Sequence, residues 1–196
     1  MTSYTDILAV RDYLGFQGTQ GTSTNGILQD CIDDATAAIN SHTRRNFLGT
    51  PGTYYVNRFG QDKVVNQALY LTRDLHTLVG VVNGDTQVIP TGSVWLEPRN
   101  DGPPYRILRL KSQYVWVWNT DSDVVISGTW GYSTTVPDDI RRATIQLAAY
   151  YYKLKDTGVG DVAGFAEGGE VTIPKGIPDT VKIILEKYRS RSGGMV

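Results

Sequence analysis

The sequence has one cysteine, two histidines and almost no net charge among its 196 residues. The lone Cys31 excludes an internal disulfide framework, and its place on a predicted helix face favours a small buried hydrophobe. A formal net charge of −1 gives no global attraction to nucleic acid or to an anionic membrane. No apolar run approaches the roughly 18–20 residues of a membrane span. The amino terminus lacks the features of a signal peptide, so we expect a protein made and kept in cytoplasm-like conditions.

The residue patterns of catalysis are also missing. His42 and His76 stand in different contexts, and neither has a partner at metal-ligand spacing. The glycines of 158–164 superficially resemble a phosphate-binding loop, but they follow a predicted helix and no Walker lysine comes after them. Nothing matches a serine nucleophile elbow or a Ser/His/Asp set. The sequence therefore predicts no catalytic residue, no cofactor and no metal, and we do not expect an enzyme.

The most strongly patterned stretch is Trp130–Lys155. A Trp130-Gly131-Tyr132 strand end and turn leads into a helix over 137–155, with Pro137 suited to its first position and acidic residues in its first turn. Its apolar residues recur at steps of three and four: Ile140, Ala143, Thr144, Leu147, Ala148, Tyr151 and Leu154. This pattern predicts the central packing helix of the fold.

Two helices are predicted before this stretch. The first runs from Asp6 to Leu14, is capped by Thr5 and ends at Gly15. The second runs from about Asn25 to Phe47, with Arg44 and Arg45 in its last turn. Its predicted apolar stripe contains Ile27, Leu28, Cys31, Ile32, Ala35, Ala38, Ile39 and His42.

From Thr53 to Gly131 the periodicity changes to two, which predicts an antiparallel β region. The pair Asn83-Gly84 indicates a tight hairpin with a type I′ turn. In the predicted strand Tyr114–Trp118 both alternating sets of side chains are apolar. A sheet buried on both faces, with helices on one side, would explain this pattern, and so would one face offered to a neighbouring subunit.

The carboxy-terminal part combines a glycine-rich loop over 156–176 with a last helix over Pro178–Arg191. So long a loop is usually functional or disordered. A helix of about a dozen residues is marginal alone, so its apolar face must pack on the subunit's own core or on a partner. The chain is thus predicted to be one α+β domain, residues 1–196. It would comprise a small helical bundle (5–48 and 132–155), an inserted antiparallel β region (53–131) and a carboxy-terminal segment (156–196).

The order of these parts resembles the head–tail connector (adaptor, or head-completion) proteins of tailed bacteriophages. The resemblance spans most of residues 5–155. It depends on Thr43-Arg44-Arg45-Asn46-Phe47, on Gly128-Thr129-Trp130-Gly131-Tyr132, on 136–143 (VPDDIRRA) and on 147–153 (LAAYYYK). The larger β region departs from the smallest members of the family, which leaves its position in a ring open.

The resemblance implies a structural virion protein of the neck, assembled in the bacterial host cytoplasm. Such a protein would form a homo-oligomeric ring, usually twelve-fold, beneath the portal protein. The ring would extend the DNA channel without sequence recognition, dock a stopper or tail-completion protein, and have no membrane partner. The carboxy-terminal segment would engage the portal.

Two sets of candidate interface residues follow from the resemblance and the patterns together. The predicted portal interface comprises Val181, Ile184, Leu185, Tyr188, Arg189 and Arg191. The predicted subunit interface comprises Arg141, Arg142, Arg44, Arg45, Trp116 and Trp118.

Other classes of function remain open on the sequence alone. Within the connector interpretation, a tail-completion or stopper protein is the nearest alternative. A β-rich binding module could use an aromatic platform for a sugar or peptide, formed by Tyr105, Tyr114, Trp116 and Trp118. An enzyme of unrecognised type has no candidate site to support it.

Overall fold

The computed structural model describes residues 3–16, 24–57, 62–119, 122–156, 165–166, 169–170 and 176–190. The chain divides into two compact units. A helical unit takes the chain up to Arg44 and again from Val136, and a β unit holds Arg45–Thr135. The predicted α+β class, with a β region inserted between helices, is confirmed; that all parts form one domain stays a prediction.

The helical unit contains four helices in the part of the chain that the structure describes: α1 (Ile7–Leu14), α2 (Asn25–Thr43), α3 (Asp138–Asp156) and α4 (Asp179–Glu186). Helix α3 contacts the other three, as the prediction of a central packing helix requires. Its buried residues are Ile140, Ala143, Thr144, Leu147, Ala148 and Ala149. Because alanines dominate this face, neighbouring helices can approach α3 closely.

The ends of two helices differ from the sequence-based prediction. The cap of α1 is Asp6, whose Oδ1 accepts from the Ala9 amide, whereas the Thr5 hydroxyl is buried without a hydrogen-bond partner among the described residues. Helix α2 stops at Thr43 rather than Phe47, because Arg44 takes a left-handed conformation with φ of 55°. Phe47 is instead a buried residue of the β unit, in ring contact with Tyr132.

The β unit is a seven-stranded antiparallel sheet. Its strands are β1 (Thr50–Val56), β2 (Lys63–Val65), β3 (Ala68–Val82), β4 (Val88–Ile89), β5 (Val94–Glu97), β6 (Tyr105–Leu110) and β7 (Val124–Trp130). The path through the sheet is β1-β7-β3-β6-β5, with β2 and β4 both paired to the long β3. The core lies on one face, where side chains such as Leu69, Val81, Leu108 and Ile126 are fully buried.

Two predictions about the β region are wrong. Strands β3 and β4 form a hairpin at Asn83-Gly84, as predicted, but its turn is not of type I′. The connection spans residues 83–87, with the positive φ at Thr86. Tyr114–Trp118, predicted as a strand, belongs to no strand. Its aromatic residues pack on the core of the sheet, which explains why the segment is apolar although it is not paired.

Most of the predicted loop over 156–176 lies outside the described residues. Its described part contains the short antiparallel pair β8 (Phe165–Ala166) and β9 (Gly169–Glu170). Helix α4 begins directly after Pro178, as predicted, but ends at Glu186 rather than extending through Arg191.

Candidate functional surfaces

A buried ion-pair cluster lies in the β unit near the point where the chain enters it. Asp74 on β3 is 5% exposed. Both its oxygens accept from Arg45 Nη1, at 2.9 and 2.8 Å, and Oδ1 also accepts from Arg106 Nε at 2.7 Å. The Arg45 guanidinium also lies over the Tyr132 ring, 5.3 Å from its centroid. Since a buried carboxylate is costly unless paired, this cluster explains how β3 tolerates a charge in its interior.

Beside this cluster, backbone hydrogen bonds connect the segment that enters the β unit, residues 46–49, with the segment that leaves it, residues 131–133. The Tyr132 amide donates to the Asn46 carbonyl, and the Gly49 amide donates to the Ser133 carbonyl. Gly131, with φ of 149°, donates its amide to the Asp74 carbonyl. A Cβ at Gly131 would lie 2.6 Å from the Gly49 Cα, so only glycine fits this turn. The sequence signature Trp130-Gly131-Tyr132 therefore has a structural cause.

Arg45 was predicted as a subunit contact, and the structure places its side chain in this cluster, 15% exposed. Its neighbour Arg44 is exposed and forms the left-handed end of α2. Arg141 and Arg142 lie near the start of α3, and both are exposed. Neither guanidinium forms an ion pair with any residue that the structure describes. These two arginines are thus accessible to a partner, and their role in subunit contact stays a prediction.

The two tryptophans of the predicted subunit interface are anchored within their own unit. Trp116 Nε1 donates to the Gln67 carbonyl at 3.0 Å, and Trp118 Nε1 donates to the Val56 carbonyl at 2.9 Å. Both rings are half-buried against the core of the sheet, together with Tyr105 and Tyr114. An aromatic platform for a sugar or peptide needs these rings to face outward, so their packing argues against that alternative.

Helix α4 packs its apolar face on α2 and α3 of its own unit. Val181 and Leu185 are buried, Ile184 and Tyr188 are half-buried, and Arg189 is exposed. Three side-chain contacts fix its end: His42 Nε2 with Glu186 Oε1 at 3.1 Å, and Asp139 Oδ2 with Lys187 Nζ and the Tyr188 hydroxyl, each at 3.5 Å. Of the two partners left open by the sequence, the subunit's own core therefore covers Val181 and Leu185. Arg191 lies outside the described residues.

Sequence reasoning missed two residues that organise the β unit. Asp74 gave a usable signal, because it is a charged residue within the apolar strand β3. Asn83 gave none: its amide donates to the Val115 carbonyl, and its Oδ1 accepts from the Val117 amide. The side chain of Asn83 thus bonds the backbone of a segment more than thirty residues further along the chain. Such a contact cannot be recognised from the local sequence pattern.

The structure offers little support for chemistry. No cluster of three or more His, Cys, Asp or Glu side chains that could hold a metal ion occurs in the ranges that the structure describes. Burial raises the pKa of the Cys31 thiol above its ordinary value of 9.0, with smaller contributions from Lys155, which opposes the shift, and from Asp34 and Asp30, which add to it. A thiol held in its neutral form is a poor nucleophile. Among the described helices, none is long and apolar enough to cross a membrane.

Solved structures with the same fold come from a gene transfer agent particle. The chain aligns over 94% of its length with a chain in the neck of an empty gene transfer agent particle, computed with C6 symmetry, at TM-score 0.62 and 20% identity, covering 88% of that chain. A second match is the neck of the native particle, computed with C12 symmetry, at TM-score 0.58 and 18% identity; it covers 94% of this chain and 87% of that one. A third is the virion of the native particle, at TM-score 0.56 and 21% identity, over 94% of this chain and 88% of the other. No protein-family model and no curated protein matches the sequence.

Proposed function

We propose that the chain is a non-enzymatic structural protein of the neck of a tailed phage or phage-like particle. The observation that carries this proposal is the shared fold with neck chains along 94% of the sequence, in particles whose necks were computed with C6 and C12 symmetry. The order of parts in the sequence supports it independently. A ring that encloses a DNA channel does not need a reactive side chain. In its described part, this chain supplies no candidate for catalysis.

The finer role that we propose is a head–tail connector. Copies of the chain form a homo-oligomeric ring, twelve-fold in the simplest case, beneath the portal protein. The ring extends the channel for packaged DNA and presents a surface to a stopper or tail-completion protein. A place on the tail side, as a completion or stopper protein, is the alternative that the same fold allows.

The portal contact is assigned to the exposed side of α4. Because Val181 and Leu185 pack on α2 and α3, a partner can reach only outward residues, among them Ile183 (69% exposed) and Arg189. Half-buried Ile184 and Tyr188 border this side. The contact thus extends the predicted portal interface by Ile183, while the buried residues hold the helix in place.

The test is binding of the purified chain to portal rings of the same phage. The double variant Ile183→Lys and Arg189→Glu should lose co-sedimentation with portal rings and keep its thermal unfolding temperature. Leu8→Lys is the matched control, since Leu8 on α1 is also 69% exposed. Deletion of 177–196 is less informative, because it also removes the buried Val181 and Leu185. Full portal binding by the double variant would reject the assignment to α4, and no portal binding by the wild-type chain would reject the connector role.

A further inference from the structure

One end of the sheet carries an exposed apolar row across four adjacent strands. Tyr55 on β1 is opposite Val125 on β7, Val125 is opposite Val82 on β3, and Val82 is opposite Val88 on β4. Directly opposite residues share one face of a sheet. The next residues along the strands, including Val81 and Ile126, belong to the buried core, so the row lies on the other face.

The exposure of this row is large for apolar side chains. Tyr55 is 64% exposed and Val88 is 69% exposed, while Val82 and Val125 are half-buried. Val79 lies at the register shift between Leu78 and Gly80 and is 68% exposed. Exposed apolar residues that are contiguous, rather than scattered singly, mark interaction surfaces.

The same part of the sheet has no charged residue at all. Strands β1 (TPGTYYV), β4 (VI) and β7 (VVISGTW), and the Leu75–Val82 half of β3, contain no Asp, Glu, Lys or Arg. Beside the apolar row the face carries hydroxyls, with Thr53 Oγ1 3.3 Å from Ser127 Oγ. Strands that face water usually carry charges, which also protect them from pairing with other chains. We call this surface, formed by Tyr55, Val79, Val82, Val88, Val125, Thr53 and Ser127, the uncharged face.

We infer that the uncharged face is covered by a second copy of this chain; the inference rests on the proposed ring. Nucleic acid does not fit, because contact with phosphates requires Lys or Arg and these strands supply none. A charged protein surface does not fit either, because its charges would be desolvated without partners. The centres of subunit interfaces are depleted of charge in the same way as this face. In the proposed ring each copy is held beside the next, so a second copy is present at high local concentration.

The experiment places a charge on the face of the full-length chain and measures self-association by light scattering over a range of concentrations. Val88→Lys and Val79→Lys should each weaken association by about tenfold or more. Leu8→Lys, at the same 69% exposure as Val88 but on α1, should associate like the wild type. Val88→Thr keeps the branched shape that suits a strand and replaces one methyl group by a hydroxyl, so it should fold normally and associate measurably less.

The outcomes separate this inference from the proposed function. Unchanged association of both lysine variants, or equal weakening by Leu8→Lys, would overturn the inference. A wild-type chain that stays monomeric yet binds portal rings would overturn the inference and leave the neck role in place. Association that depends on the uncharged face, without any binding to portal rings, would support the inference and reject the connector role.

Discussion

At the scale of single residues, Asp74 holds the two arginines of the β unit's buried ion-pair cluster. Asp74→Asn removes the charge that balances Arg45 and Arg106 and leaves two guanidinium groups partly buried without their carboxylate. Breaking such a pair costs about 3–5 kcal/mol of unfolding free energy. Urea unfolding monitored by tryptophan fluorescence would measure it. Asp101→Asn, on an exposed residue of the same unit, is the control; a loss as small as the control's would mean that the arginines find other partners.

Cys31 is a second residue with a measurable consequence. Burial raises the pKa of its thiol in the folded state, and the pKa of the Tyr151 hydroxyl is raised above 10.0 for the same reason. The unfolded chain therefore loses these protons at lower pH than the folded chain. The stability contribution is fully present below the thiol's ordinary value of 9.0 and is lost as pH rises through the folded-state value.

We therefore expect the urea midpoint to fall as the pH rises above 9.0, and Cys31→Ala to reduce that fall. A thiol reagent at neutral pH should label Cys31 only after unfolding. Rapid labelling of the folded chain, or a pH dependence that is identical in Cys31→Ala, would contradict the burial of this thiol.

At the scale of elements, the turn after β7 requires a glycine. Gly131→Ala would place a methyl group 2.6 Å from the Gly49 Cα and impose an L side chain on a φ of 149°. We expect a loss of about 1–3 kcal/mol or more in unfolding free energy. Gly92→Ala meets nothing within 4 Å and should change little. Equal midpoints for the two variants would show that the backbone at Gly49 can move aside.

The helices and strands also show how much of the fold could be predicted from the sequence. Periodicity and capping residues were enough for α1, α2, α3, α4 and most strands, because each of these has a local signal that its surroundings reinforce. They failed for Tyr114–Trp118, where an apolar alternation arises from packing against a sheet rather than from pairing within it. They also gave the wrong turn type at Asn83-Gly84. There the side-chain amide of Asn83 is hydrogen-bonded to the Val115 carbonyl and to the Val117 amide.

The candidate surfaces were less predictable than the elements, for a physical reason. A basic residue at a helix end has the same local pattern whether it is exposed, like Arg141, or paired to a buried carboxylate, like Arg45. An apolar stripe on a short helix does not say whether its own core or a partner covers it, and for Val181 and Leu185 the answer is their own core. The uncharged face could have been found from the sequence, since β1 and β7 lack charged residues entirely.

At the scale of the whole molecule, a net charge of −1 conceals an uneven distribution. Charge is absent from three strands of the sheet, whereas exposed arginines and lysines occur on α3 and α4. Assembly of a ring would then combine an uncharged contact on the β unit with charged contacts on the helical unit. In such a ring the uncharged contact would supply affinity through burial, and the charged contacts would contribute orientation and specificity.

Arg141 and Arg142 are the helical residues that test the charged contribution. Reversing both to Glu should weaken self-association and should not weaken folding, because acidic residues near the start of α3 interact favourably with the helix dipole. The control on the same helix is Lys153→Glu with Lys155→Glu, which makes an equal change of charge in the last turn. There the dipole disfavours acidic residues, so this control should lose a few tenths of a kcal/mol of stability and assemble normally. Light scattering beside thermal unfolding separates the two effects, and parallel losses of assembly and stability in the arginine variant would assign the pair to folding alone.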